Sequence, residues 1–214
     1  MRRSEPQAVL QEQFGSLEQQ QHAARFGMWL FLTSEVLLFG ALFALYTAYR
    51  LEYAEAFRSA ARHNAVWLGT ANTLVLITSS LFAAWAAHAV KSGRAIMAEL
   101  CLLGTLALGG LFLFLKLTEY ADHFRHGIYP GAYFRSPELG ERGAGTFFTL
   151  YYFMTGLHGL HVVGGMSALA IMLLQISRGR YGPGRSTAVE LSVLYWHLVD
   201  VIWIFLWPLF YLLT

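Results

Sequence analysis

Five long apolar runs dominate this sequence, at about Phe26–Tyr46, Ala65–Ala87, Ile96–Leu117, Phe147–Leu174 and Val189–Leu212. Each approaches or exceeds the roughly 20 residues that an α-helix needs to cross a ~30 Å hydrocarbon core. Backbone polar groups have no partner in lipid, so runs of this length predict helices and exclude strands of an open sheet. The expected fold is an all-α integral membrane protein, a bundle of five transmembrane helices at residues 25–214, preceded by a polar, Gln-rich leader at residues 1–24. Only 13% of the residues are charged, where a soluble domain carries about 25%. A net charge of +2 gives no reason to expect nucleic acid as a partner. The single Cys101 rules out an internal disulfide and reads as a small buried residue.

Orientation follows from the basic residues. An inside N-terminus gathers Arg2, Arg3, Arg25, Lys91, Arg94, Arg178, Arg180 and Arg185 on that side, against Arg50, Arg58, Arg62, Lys116, Arg125, Arg135 and Arg142 on the other. The balance is slight, but the two short inner connections are dense in Arg and Lys. The expectation is N-terminus inside and C-terminus outside. The longest connection, Thr118–Thr146, contains GIYPG and Pro137 and reads as a surface loop. Lys116 and Glu119, three residues apart at the outer end of the third span, read as an ordinary surface ion pair.

At 1.5 Å per residue, Glu35 in the first span, His158 in the fourth, and His197 and Asp200 in the fifth all fall about 12–16 Å from the inner face. His161 lies one turn closer to that face. Isolated ionisable groups at such depth are expensive, so Glu35 is expected to hydrogen-bond His161 or His158. The residues alone leave several readings open. The layer can order the bundle, form part of a proton path, or line a substrate site. It can also hold a metal, with His158 and His161 sharing a helix face and His197 and Asp200 completing a tetrahedral set. Gly156, Gly159, Gly164 and Gly165 beside the histidines suit close helix approach in lipid. Pro208 removes one helical hydrogen bond and predicts a mild kink. A transporter reading lacks an inverted repeat, and a metallohydrolase reading lacks HExxH.

Three stretches, GMWLFLTSEVLLFGALFALY (Gly27–Tyr46), TGLHGLHVVGG (Thr155–Gly165) and YWHLVDVIWIFLWPLFYL (Tyr195–Leu212), resemble subunit III of the haem-copper respiratory oxidases, and TEYADHFRHGIYPG (Thr118–Gly131) is similar to a loop of that family. The chain looks like the family's five-helix bacterial form. That resemblance implies an accessory subunit of a proton-pumping cytochrome c oxidase in the bacterial inner membrane. It would dock on subunit I beside subunit II and smaller subunits, hold structural phospholipids, and flank the proton-uptake entrance of subunit I. Haem and copper would sit in the partner subunits and none in this chain, and cytochrome c would act on the complex without touching it. The resemblance also weighs against a metal at the histidines. Glu35 matches the family's intramembrane glutamate, which is typical of cytochrome c-oxidising members. A quinol oxidase subunit III, or the related accessory protein of a nitric oxide reductase, is the alternative. On the inner side His22 and His88, with Glu5, Glu12 and Glu18, could serve as a proton antenna, since an imidazole titrates in the physiological range.

Overall fold

The computed structural model describes residues 10–135 and 142–213. Among these, five helices are long and apolar enough to cross a membrane. In chain order they are α1 (Leu17–Glu52), α3 (Val66–Lys91), α4 (Ala95–Arg125), α5 (Arg142–Ser177) and α6 (Thr187–Trp207). A short helix, α2 (Ala54–Ala61), follows α1. Its sequence, AEAFRSAA, puts Phe57, Ala60 and Ala61 into the core and leaves Glu55 and Arg58 outside, bonded to each other at 3.0 Å. Eight residues carry too little hydrophobicity to stand out beside the long runs, and the sequence reading missed this element.

The helices outrun their apolar cores. Ser16 caps α1 through its hydroxyl, which accepts from the Gln19 N–H, so the helix begins inside the leader and residues 17–24 continue into the span. At the other ends, Gly93 and Gly179 take φ of +70° and +68°. This left-handed step lets Arg94 and Arg180 donate backward to the Ala89 and Gln175 carbonyls and closes α3 and α5. α4 runs two turns past its expected end at Leu117, so Thr118–Arg125 is helix rather than loop. The connection proper folds back on α5. The Gly131 N–H donates to Thr149, and the Tyr152 hydroxyl donates to the Ile128 carbonyl. Pro137 lies outside the described residues.

α3, α4, α5 and α6 form the packed core, and α1 lies at its flank. Only 11% of the α1 span is buried, against 44% of the α6 span. α1 is fastened mainly near its C-terminal end. There the kink expected at Pro208 is a five-residue π-turn, Pro208–Leu212, whose carbonyls are met from outside. The Tyr46 hydroxyl donates to the Leu209 carbonyl at 2.6 Å, the Asn64 amide to Phe210 at 2.9 Å, and Arg50 to Leu213 at 3.4 Å.

Candidate functional site

Glu35 of α1 meets His161 of α5, with Oε2 2.8 Å from Nε2. The other ring nitrogen, Nδ1, lies 2.8 Å from the Leu157 carbonyl. A carbonyl only accepts, so Nδ1 carries hydrogen. The Nε2–Oε2 contact must then share one proton, as imidazolium with carboxylate or as imidazole with carboxylic acid. The ring is held edge-on by Phe39, with centroids 5.4 Å apart, and Tyr195 donates to the His161 carbonyl at 3.2 Å.

The remaining members of the mid-depth layer lie apart from this pair. Although His158 and His161 are three residues apart, they diverge. The His158 ring is fully buried between Phe112 and Trp203, at 5.6 and 5.3 Å, and neither nitrogen has a hydrogen-bond partner. His197 borders the α1–α6 seam and turns to α3, where Nδ1 meets the Ser80 hydroxyl at 2.5 Å. Asp200 is 4% exposed and neither of its oxygens makes a hydrogen bond. The four-residue set of His158, His161, His197 and Asp200 is therefore not assembled. Among the described residues no three His, Cys, Asp or Glu side chains converge in a way that could hold a metal ion. The physical reason is rotational. Steps of three and four residues on α5 and α6 point these side chains at different neighbours: α1 for His161, the centre for His158, and α3 for His197.

The glycines divide in the same way. A Cβ on Gly165 would come within 2.8 Å of the Trp196 ring, and one on Gly109 of α4 within 2.9 Å, so the indole is clasped between two helices that each lack a side chain there. Gly156 and Gly159 have open space and pack nothing within the chain. Both core tryptophans of α6 donate to hydroxyls of α3. The Trp196 indole bonds Ser79 at 3.0 Å and the Trp203 indole bonds Thr73 at 3.1 Å.

The largest buried polar cluster is one the sequence reading placed on the surface. Lys116 and Glu119 are 6% and 4% exposed. The ammonium donates to Glu119 at 2.9 Å, to the Tyr151 hydroxyl at 2.8 Å and to the Tyr211 hydroxyl at 2.9 Å, using all three of its N–H groups. Tyr211 in turn donates to the Glu119 carboxylate at 2.6 Å. Four rings surround the cation, with the centroids of Tyr151, Tyr120, Trp203 and Tyr211 at 4.7, 5.2, 5.3 and 5.6 Å, a favourable setting for a desolvated charge. The expected surface pair is thus an interior junction of α4, α5 and the π-turn. The correction follows from the extra length of α4, which carries the pair under the aromatic end of α6. The signal lay in the register. Ala98, Cys101, Thr105, Gly109 and Phe112 form the buried stripe of α4, and the same steps continue through Lys116, Glu119 and His123.

His22 and His88 are exposed, near the start of α1 and the end of α3. His88 makes only a 3.5 Å contact with Ser92. Glu5, Arg2 and Arg3 lie outside the described residues.

The chain is similar to known proteins over most of its length. A family profile described as "Cytochrome c oxidase subunit III" matches residues 13–214. "Cytochrome c oxidase subunit 3" of Thermostichus vulcanus is 33% identical, over 88% of this chain and 86% of its own length. The protein of the same name from Lumbricus terrestris is 34% identical, over 87% and 69%. A longer protein of Aeropyrum pernix, "Heme-copper oxidase subunit I+III", is 29% identical over 88% of this chain and 22% of its own length. With nearly its whole length matched, from the middle of the leader through the π-turn, the chain belongs to the cytochrome c oxidase subunit III family.

Proposed function

We propose that the chain serves as the accessory subunit of a haem-copper terminal oxidase that passes electrons from cytochrome c to oxygen and pumps protons. In this reading it stiffens the flank of subunit I, retains phospholipids there and lies beside the proton-uptake entrance. Redox chemistry belongs to haem and copper in the partner subunits. The observation that carries the reading is family membership across residues 13–214, in a bundle where several of the buried ionisable groups are engaged within the chain, His158 and Asp200 excepted. Glu35 is occupied by His161, His197 by Ser80, and Lys116 by Glu119 and two tyrosines. The relative named for subunits I and III together supports subunit I as the neighbour. The apolar, outward Phe26, Trp29, Leu30 and Leu37 of α1 supply a surface that lipid or a partner helix can cover.

Lipid retention draws support from the seam between α1 and α6, where Trp29, Leu32 and Val36 face Leu198 and Val201 around a hollow of about 340 Å³. The orientation with N-terminus inside rests on the Arg- and Lys-rich connections, and a bacterial inner membrane is the expected location.

Purification in mild detergent tests this reading. The expected result is co-purification with a larger subunit that shows haem absorption and oxidises cytochrome c. A chain that purifies without any haem protein would overturn it. Oxidation of quinol in place of cytochrome c would move it to the quinol-oxidising branch.

A further inference from the structure

Two hollows share the seam between α1 and α6, and their chemistry differs. The deeper one, of about 340 Å³, is the apolar hollow beside Trp29, Val36 and Val201. The other, of about 220 Å³, opens at the polar rim between Gln20 and Gln21 of α1 and Arg185 and Thr187 at the start of α6. It exists because α1 continues two turns below its apolar run, behind the Ser16 cap. The hollows follow one another on one face of α6: Leu191 lines the rim hollow, and Leu194, three residues on, lines the deeper one. From Thr187 to Val201 the seam runs about 21 Å along the helix. One leaflet, head group included, is roughly 20–22 Å thick.

Arg185 is set at the rim by its own turn. Its N–H donates to the Gly182 carbonyl at 2.9 Å, closing a β-turn with Pro183 in second position. The guanidinium lies over the Tyr181 ring at 5.5 Å, and no carboxylate among the described residues pairs with it. Glu190, in the first turn of α6, is engaged with Lys91 at 3.0 Å and with the Ser186 hydroxyl at 2.6 Å. The seam therefore has an unneutralised cation at its polar end and an apolar hollow one leaflet deep at the other, which is the pattern of an amphiphile with an anionic head.

We propose that the α1–α6 seam binds one anionic glycerophospholipid, its phosphate on Arg185 at the rim and an acyl chain in the hollow beside Trp29 and Val201. This names the place and the head-group class for the lipid retention proposed above, and rests on that reading. A guanidinium fork matches two phosphate oxygens at once. The amide of Gln21 and the hydroxyl of Thr187 suit the hydroxyls of a glycerol head. A zwitterionic ethanolamine head is disfavoured, because no Asp or Glu among the described residues lines the rim hollow to receive its ammonium.

Native mass spectrometry of the full chain in detergent tests the inference, with phosphatidylglycerol, phosphatidylethanolamine and the chain-free head group glycerophosphoglycerol as probes. The expected result is retention of one phosphatidylglycerol in preference to phosphatidylethanolamine. Arg185→Gln should weaken phosphatidylglycerol binding by about tenfold, the loss of one charge-assisted contact. Val201→Trp, which fills the apolar hollow, should weaken both lipids. Equal retention of phosphatidylglycerol by Arg185→Gln and the parent chain would overturn the proposal, as would equal retention of the two lipids by the parent. Competition by glycerophosphoglycerol as strong as that of the intact lipid would also overturn it, by making the rim a site for a soluble phosphate ester. Val201→Trp keeps the test decisive if Arg185→Gln does not fold. A chain that purifies without any haem protein but retains phosphatidylglycerol would end the accessory-subunit reading and leave the lipid site standing.

Discussion

Replacing Lys116 with methionine removes the cation from a site that was built around it. The side chains of Lys116 and Glu119 are 7% and 3% exposed, so solvent cannot take over the abandoned carboxylate. Breaking a buried pair from one side costs about 3–5 kcal/mol. Tyr151 and Tyr211 also lose the donor at 2.8 and 2.9 Å that their oxygens accept from. For a chain of this size each kcal/mol moves the melting midpoint by about 2–4 °C, so a fall of roughly 6–20 °C is expected. The fully apolar replacement, Lys116→Met with Glu119→Leu and Tyr211→Phe, leaves no orphaned charge. It should recover most of that loss, because well-packed apolar substitutes for buried ion pairs are often neutral. The protein supplies its own reporter. Cys101 is the single cysteine and is buried, so a thiol-reactive fluorophore reads unfolding directly in detergent. A single Lys116→Met variant as stable as the parent would refute the reasoning. So would a triple variant no more stable than the single one, since the three groups would then not act as a unit.

The other expectations use the same thermal assay unless stated. Glu35→Ala leaves the His161 ring nitrogen without its acid and should destabilise by about 1–3 kcal/mol, whereas Glu35→Gln keeps a hydrogen-bonding group there and should lose less. Gly165→Ala drives a methyl into Trp196 and should destabilise by about 1–3 kcal/mol, while Gly159→Ala, with open space around it, should be neutral or gain up to about 1 kcal/mol. Tyr46→Phe removes the bond to the Leu209 carbonyl, at about 1 kcal/mol, and should speed hydrogen exchange of the π-turn selectively. In the assembled oxidase, His22→Ala or His88→Ala should slow proton uptake at high pH. Unchanged uptake kinetics in both would remove the antenna reading.

Much of this architecture was legible because lipid leaves so few choices. Runs of twenty apolar residues can only be helices, and depth along a helix is arithmetic, which is why Glu35 could be matched to the histidines of the fourth span. What depth does not give is azimuth, so it left His161 and His158 both open as the partner of Glu35. His158, His161, His197 and Asp200 share a level yet face different neighbours, and the apolar runs of α5 and α6 show too little polar contrast to say which way each side points. Lys116 and Glu119 were misplaced for another reason. Charged residues at the margin of an apolar run look like its end, although the register of the buried stripe carried straight through them. Helix α2 was missed because its one large apolar residue, Phe57, and its small alanines do not stand out beside the long runs, although they repeat at helical spacing.

The clasp at the π-turn has a bearing on biogenesis. Tyr46 and the Leu209 carbonyl it bonds are 163 positions apart, and at 5–20 residues per second a ribosome needs roughly 10–30 s to cover that interval. Throughout that time α1, already translated, has no clasp to close on and must wait in the bilayer with its tyrosine unsatisfied. Docking of the C-terminal end of the first span is therefore a late event in maturation, completed after the Glu35–His161 contact has become available.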